Sequence, residues 1–366
     1  MDGNSKNRLH YLDLSPNDIR ELSEGWGLAK FRGKQLLEWI FQKRAHHPAQ
    51  MTNLPQTLRG KLAAELDWEL PAVHSRLNSE DGTTKLILQT ARSQAMETVI
   101  MRYEGRTSLC VSSQVGCRLA CSFCQTGKMG FMRHLTKSEI LGQYVAAQKL
   151  LDDAKEGRRI SHVVFMGMGE PLDNYGGAVG AASSLIDNFG LSHKNVTVST
   201  SGVVPRIYQL SGDCAAALAV SLHAARDDLR TSLMPINRKY NLAALKDSLL
   251  AYQKTTGKKI TLEYILIKDV NCSRREAKDL VRFIHGLRVK VNLIPFNDHP
   301  GVEYQRPAEE DIRAFQAYLT ARSIPAPVRY SRGLGVSAAC GQLAAKRQES
   351  LGNAPERRSL LLGTDS

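Results

Sequence analysis

Cys117, Cys121 and Cys124 fall on one short stretch, "VGCRLACSFCQTGKMGF". Thiols spaced this way can converge on one metal centre. Structural zinc sites usually take four ligands in two pairs and close the coordination sphere. A 4Fe–4S cluster can instead be held by three cysteines, leaving one iron open to a further ligand. Two more cysteines stand apart. Cys110 lies just upstream, and Cys340 sits near the far end in "SAACGQL". From spacing alone, each reads more readily as a small buried hydrophobe than as a nucleophile. Cys214 and Cys272 complete an odd, irregular set of seven. The polar, mixed-charge start carries no apolar leader, so a reducing, cytoplasmic setting is expected. Metal or thiol chemistry then explains the cysteines better than a disulfide framework.

Other groups with chemical potential sit where apolar runs end. "VVFMGMGEPL" finishes in Gly167, Gly169 and Glu170. "STSG" brings Ser199, "SLH" brings Ser221, Leu222 and His223, and Asn297 follows "NLIPF". Glycines at such ends let backbone approach a ligand, and an acid can accept an ammonium group. Each is a weak signal alone; four successive run-ends bearing glycine or polar residues suggest a ring around a ligand.

These ends need a scaffold. "TSLCVSS", "ISHVVFMG", "NVTVST", "AALAVSLH", "KITLEYILI" and "VKVNLIPF" are short apolar runs. They alternate with helical patterns over 136–153, 175–189, 203–211, 241–255, 274–286 and 308–322. Such alternation predicts α/β architecture with a parallel sheet, right-handed crossovers and chemistry at the C-terminal strand ends. Upstream, "TTKLILQT" and "AMETVIMRY" read as a β-hairpin in which Glu97 would face solvent. Residues 8–66 read as helices, with Ser15 and Pro16 opening the first and Leu36, Leu37, Ile40 and Phe41 sharing a face. The expected divisions are a helical accessory domain at 1–70, a β extension at 71–105, a barrel core at 106–342 and a disordered tail at 343–366.

The net charge of +13 points to a polyanionic partner. It is uneven: residues 1–100 carry 13 basic against 12 acidic side chains. Between 101 and 134, Arg102, Arg106, Arg118, Lys128 and Arg133 face Glu104 alone. No run of 18 apolar residues exists, so no membrane span is expected.

The cysteine spacing resembles the cluster motif of radical S-adenosylmethionine (SAM) enzymes. The resemblance then narrows. "LCVSSQVGCRLACSFCQTGKMGF", "GMGEPLDN", "VTVSTSGVVP", "AVSLHA", "MPINRKYN", "VNLIPFN" and "AACGQL", in this order, are similar to the RlmN/Cfr family of radical methyltransferases, which act on adenine in 23S ribosomal RNA. The resemblance runs from about residue 8 to 344. It implies a partial (βα)6 TIM-like radical SAM barrel with a small N-terminal helical domain and a β-hairpin extension.

The resemblance also implies roles. Cys117, Cys121 and Cys124 would hold a 4Fe–4S cluster. Gly169, Glu170, Ser199, Ser221, Leu222, His223 and Asn297 match the family's SAM contacts. Two SAM molecules would be used per turnover. Cys340 would take a methyl group from the first, and a radical generated from the second would activate that methyl for addition to the adenine carbon. Glu97, reversing its solvent-facing reading, would remove the proton. Cys110 would then resolve the crosslink through a transient disulfide with Cys340, the first and last barrel strands bringing the two together. The implied partners are 23S ribosomal RNA, with transfer RNA a second candidate, and a reductase or flavodoxin-type electron donor; the chain is expected to be a monomer. Gly335, Val336 and Ser337 replace the acidic residue and isoleucine usual before the terminal cysteine, which leaves carbon 2 or carbon 8 of adenine open. A zinc-stabilised RNA-binding protein is the non-enzymatic alternative.

Overall fold

A computed structural model describes residues 8–90, 93–299 and 301–343. The expectation of disorder at the C-terminus falls, from residue 344 on, outside the described residues. The N-terminal unit runs β1 (Leu9–His10), α1 (Pro16–Gly25), α2 (Lys30–Leu37), α3 (Gln56–Glu65) and β2 (Leu66–Asp67), with β1 and β2 paired in parallel. Ser15 and Asp18 form a reciprocal capping box, with Pro16 at the first helical position. The helix expected across "FRGKQLLEWIFQKR" is α2 running into a π-helical turn, Glu38–Gln42, which buries Ile40 and Phe41. The unit docks on the rest of the chain. Phe41 meets Phe189 edge to face at 5.3 Å, and the Ser138 N–H donates to Asp13 Oδ1 at 2.8 Å.

Next come β3 (Ala72–Asn78), β4 (Thr84–Gln89), β5 (Ala95–Tyr103) and β6 (Arg106–Cys110), antiparallel to one another in turn. A loop segment follows: β7 (Gln114–Gly116), α4 (Gln125–Lys128) and β8 (Phe131–His134). Strands and helices then alternate: α5 (Lys137–Asp153), β9 (Ile160–Phe165), α6 (Tyr175–Asp187), β10 (Val196–Thr200), α7 (Val204–Asp213), β11 (Ala217–Ser221), α8 (Asp227–Leu233) and α9 (Leu242–Thr256). The alternation closes with β12 (Ile260–Leu266), α10 (Arg274–Ile284), β13 (Val289–Pro295) and α11 (Glu309–Thr320). β6 and β9 to β13 are parallel, as their crossover helices require.

All nine main strands share one sheet in the order β13-β12-β11-β10-β9-β6-β5-β4-β3. The β extension is therefore continuous with the parallel strands through the β5–β6 pairing. Among the described residues no ladder closes the sheet: β6 lies between β9 and β5, while on the far side of β13 residues 325–329 run parallel to it, the Val291 and Leu293 N–H groups donating to the Pro325 and Pro327 carbonyls at 2.9 and 3.0 Å. The chain passes from there into the loop that carries Cys340, and that loop packs Ala338 and Leu343 against Cys110.

Residue parity separates the two faces of the sheet. Leu109, Val163, Val198, Val220, Leu262 and Val291 belong to the main apolar core with the crossover helices. The opposite face follows from register. Val99 pairs with Cys110, Cys110 with Val164, and Val164 with Thr197. Ser199 pairs with Ala219, Ser221 with Glu263, and Glu263 with Asn292. This second face carries hydroxyls, a thiol, an amide and a carboxyl, a composition unsuited to an apolar core.

Candidate active site

The loop bearing Cys117, Cys121 and Cys124 is pinned at its base by the short β7–β8 ladder. Gly116 has φ +74°, and a Cβ there would sit 1.8 Å from the Gly130 carbonyl oxygen, so only glycine fits. The Cys117 N–H donates to that same oxygen at 2.9 Å. Further along, the Ser122 N–H donates to the Leu233 carbonyl at 3.0 Å, and the Ser122 and Tyr304 hydroxyls are 2.9 Å apart. Phe123, Leu233, Met234 and Phe296 form an apolar wall, with Cys121 and Cys124 packed against it.

Burial pushes the Cys117 thiol up to about 12, with Glu170 and Cys124 adding to the effect. Cys121 is raised by burial and then by Cys124, Cys117 and Glu170. The three thiols thus share one electrostatic neighbourhood, and a cationic centre is what would favour their thiolates. A closed structural zinc site takes four ligands, whereas three thiols in one neighbourhood are what a 4Fe–4S cluster with one open iron requires, so the donor set fits a cluster.

The other site residues from the sequence line the neighbouring strand ends. Gly169, at φ +101°, would place a Cβ 2.5 Å from Gln114 Cβ, and one on Gly167 would lie 2.7 Å from the Val111 carbonyl oxygen. These glycines let the end of β9 press against residues 111–114, a packing role that the sequence had suggested as ligand approach. Glu170 is buried; Oε1 accepts the Leu172 N–H at 3.0 Å and Oε2 the Ser201 N–H at 2.7 Å. Burial raises its carboxyl, against the pull of those hydrogen bonds. Ser199 and Ser221 lie on the inner face of β10 and β11. The Leu222 side chain is in the main core, and its N–H donates to the Glu263 carbonyl at 3.0 Å.

His223 adopts φ +59°, uncommon without a glycine. Its Nδ1 accepts the Ile265 N–H at 3.0 Å, so the proton of the neutral ring sits on Nε2. Burial, with Arg230 second, drives its pKa down to about 3, and the ring stays neutral. Phe123 meets it edge to face at 4.9 Å. Asn297 Nδ2 donates to Ser331 Oγ at 2.6 Å.

Cys110 and the loop of Cys340 come together: Cys110 packs in one apolar cluster with Ala338 and Leu343. Burial raises the Cys110 thiol, and the nearby Cys340 raises it further. Cys340 is open to solvent, yet the protein around it pushes its thiol up to about 11, with Glu263 and Cys124 contributing in turn. Its loop lies across the cluster loop: the Gln125 N–H donates to the Gly341 carbonyl at 2.8 Å, and Thr126 Oγ1 to the Leu343 carbonyl at 2.6 Å. The loop of Cys340 therefore touches both the three-cysteine segment and Cys110. Glu97 is buried, not solvent-facing, because both faces of β5 are covered there. Its carboxylate lies 3.5 Å from the buried Lys85 ammonium.

Sequence reasoning missed two buried polar groups. Arg230 has no exposed surface and donates to the carbonyls of Ser201 (2.7 Å), Ser221 (3.2 Å) and Leu222 (3.2 Å) and to Asn237 Oδ1 (2.9 Å). It ties the ends of β10 and β11 together. Glu263 accepts from Asn292 Nδ2 at 2.9 Å, and burial raises its carboxyl to about 7. A glutamate inside the apolar run "KITLEYILI" was the available signal.

Comparison with known proteins bears on this constellation. A model described as the Radical SAM superfamily matches residues 111–284, and one described as the ribosomal RNA large subunit methyltransferase N-terminal domain matches residues 9–67. The dual-specificity RNA methyltransferase RlmN of Alcanivorax borkumensis is 42% identical over 346 residues, 93% of this chain and 91% of that protein. Its namesake from a Marinomonas species is 43% identical over 344 residues, 92% of this chain and 93% of that protein. The crystal structure of a radical SAM methyltransferase from Sphaerobacter thermophilus superposes with a TM-score of 0.86. It is 42% identical and covers 91% of this chain and 98% of that one.

Proposed function

The chain belongs to the RlmN family of radical SAM RNA methyltransferases, and from that premise we propose that it methylates carbon 2 of an adenine in 23S ribosomal RNA, and in transfer RNA, through an S-methylated Cys340. The relatives' name, dual-specificity RNA methyltransferase, supports more than one RNA substrate, and the N-terminal family model names large-subunit ribosomal RNA. The observation that carries the reading is the packing of Cys110 with Ala338 and Leu343, which flank Cys340, in a loop hydrogen-bonded to the three-cysteine segment at Gln125 and Thr126.

Cys117, Cys121 and Cys124 would hold the 4Fe–4S cluster, and the polar strand ends from Gly169 to Asn297 would hold SAM. Together these cofactors supply a one-electron route to a 5′-deoxyadenosyl radical that can take hydrogen from a methyl group.

The chain's own residues account for the remaining steps. An adenine ring carbon is electron-poor and does not displace methyl from a sulfonium, whereas a thiolate does. Cys340 loses its proton and attacks the methyl carbon of one SAM, forming a C–S bond and releasing S-adenosylhomocysteine. Once activated, its methylene carbon bonds to the adenine carbon; as the adduct becomes aromatic again it would give up one electron, for which the cluster would be the acceptor, and one proton, which Glu97 accepts. Cys110, as thiolate, attacks the Cys340 sulfur. The sulfur–methylene bond breaks with its electron pair on carbon, which gains a proton and becomes the methyl group of the released base. Neutral His223 keeps positive charge away from SAM while offering an Nε2–H donor. The basic excess grips the RNA backbone, which gives salt-dependent affinity without base specificity.

Nucleoside mass spectrometry of ribosomal and transfer RNA from cells with and without the gene tests this. Loss of 2-methyladenosine on deletion is the expected result. Loss of 8-methyladenosine would move the target to carbon 8, and no change in either would overturn the assignment of substrate.

A further inference from the structure

The loop that carries Cys340 is not part of the sheet, so something must fix where its sulfur sits. The β extension does this with backbone-directed contacts. Asp81, in the turn between β3 and β4, accepts the Gly333 N–H on Oδ2 at 2.8 Å. Arg332 donates back to the Asp81 carbonyl at 2.7 Å and to the Arg102 carbonyl at 2.5 Å. Gly333 is forced by this close fit: at φ +71°, an added Cβ would meet Ala338 Cβ at 2.7 Å and Thr83 Cγ2 at 3.0 Å. Closer to Cys340, the Lys85 Nζ donates to the Ser337 carbonyl at 3.2 Å. Ser337 has φ +49°, a left-handed conformation for a residue with a side chain, so its carbonyl is held where the free chain would seldom place it.

The same ammonium lies 3.5 Å from Glu97 Oε1, and both side chains are almost wholly buried. A lysine seldom goes so deep without paired charge and hydrogen-bond acceptors to offset desolvation. Here it has one of each, and they belong to the two parts that must meet the same base: the proton acceptor on β5 and the loop of Cys340.

We propose that Lys85 is a positioning residue that sets the Cys340 loop and the Glu97 carboxylate in register with each other. This rests on the roles assigned to Cys340 and Glu97 under the proposed function. It also explains how the chain accommodates its unusual Gly335, Val336 and Ser337. Asp81 and Lys85 grasp the N–H of Gly333 and the carbonyl of Ser337, which persist whatever side chains stand between them.

The test compares Lys85→Met, Lys85→Arg and Asp81→Ala with the parent holoenzyme, reduced and shown by mass spectrometry to be unmethylated at Cys340. Two readouts apply: the rate at which oxidised glutathione drives the Cys110–Cys340 disulfide, followed by peptide mass spectrometry, and kcat against KM for RNA. Misplacing the Cys340 sulfur by about an ångström predicts roughly tenfold or greater slowing of pairing and a comparable fall in kcat in Lys85→Met. KM stays unchanged, Lys85→Arg recovers most of both, and Asp81→Ala also slows pairing. Parental pairing in Lys85→Met, or no recovery with Arg, overturns the proposal. If Lys85→Met does not fold, Lys85→Gln is read in the same way. Cys340→Ala is run alongside: methylation that survives there overturns the proposed function itself, whereas its loss together with parental pairing in Lys85→Met overturns only the role of Lys85.

Discussion

Asn292 Nδ2 donates to Glu263 Oε1 at 2.9 Å across the β12–β13 pair, holding a carboxyl group on the inner face of the sheet. Burial is the largest influence on it; the Asn292 hydrogen bond, Lys290 and Arg329 offset that in part, and the net result is a pKa of about 7. The folded protein therefore keeps this proton where the unfolded chain has released it. Stability is full below the ordinary carboxylate pKa and falls as pH rises toward 7, by on the order of 3 kcal/mol. Glu263→Gln retains the neutral hydrogen-bonding shape and is expected to flatten that decline. Thermal unfolding of parent and variant at pH 5 and pH 8 checks it; an equal pH dependence in both would rule out Glu263 as its source.

Cys340→Ala is expected to abolish methylation while iron content and the absorbance of the cluster stay at parental levels, since Cys340 lies outside the CxxxCxxC loop. Cys110→Ala is expected to leave the base covalently attached to Cys340, visible as a protein–RNA band on a denaturing gel. Free turnover in Cys110→Ala would remove its assigned role.

Much of this site could be read from the sequence. The six parallel strands were legible because each is a short apolar run followed by helical periodicity. The three-cysteine loop was legible because its thiols are neighbours in the chain. Glu97 was not: alternation in "AMETVIM" signals a half-exposed strand, and that inference fails where both faces of β5 are covered. Arg230 was hidden in "DDLRTSL", where Asp227 and Asp228 are exposed while Arg230 is buried with Leu233. The resemblance implied that Cys110 and Cys340 meet; the structure packs Cys110 with Ala338 and Leu343 on either side of Cys340. That loop is anchored on Asp81, Lys85, Gln125 and Thr126, and pairings so distant in sequence leave no periodic trace.

Arg230→Met is expected to destabilise the fold by about 3–5 kcal/mol, because it strands three buried carbonyls and the Asn237 amide oxygen. Arg230→Lys recovers little, since an ammonium cannot span the fork of acceptors that the guanidinium reaches. Denaturant unfolding of both variants measures this, and a loss below 1 kcal/mol in Arg230→Met would show that the strand ends are held by other means.

Two glycines with nearly equal φ separate backbone strain from crowding. Gly105 has φ +72° and nothing within 4 Å of an added Cβ, so Gly105→Ala is expected to cost roughly 1–2 kcal/mol from conformation alone. Gly116 has φ +74° and the Gly130 carbonyl oxygen 1.8 Å from that Cβ. Gly116→Ala must therefore also push β7 away from β8, opening the base of the cysteine loop and breaking the Cys117 N–H bond to Gly130. The expected outcome is iron content well below that of the parent in Gly116→Ala and parental iron in Gly105→Ala, both measured after identical anaerobic reconstitution. Equal iron in the two would mean that the β7–β8 ladder does not hold the loop in its ligating shape.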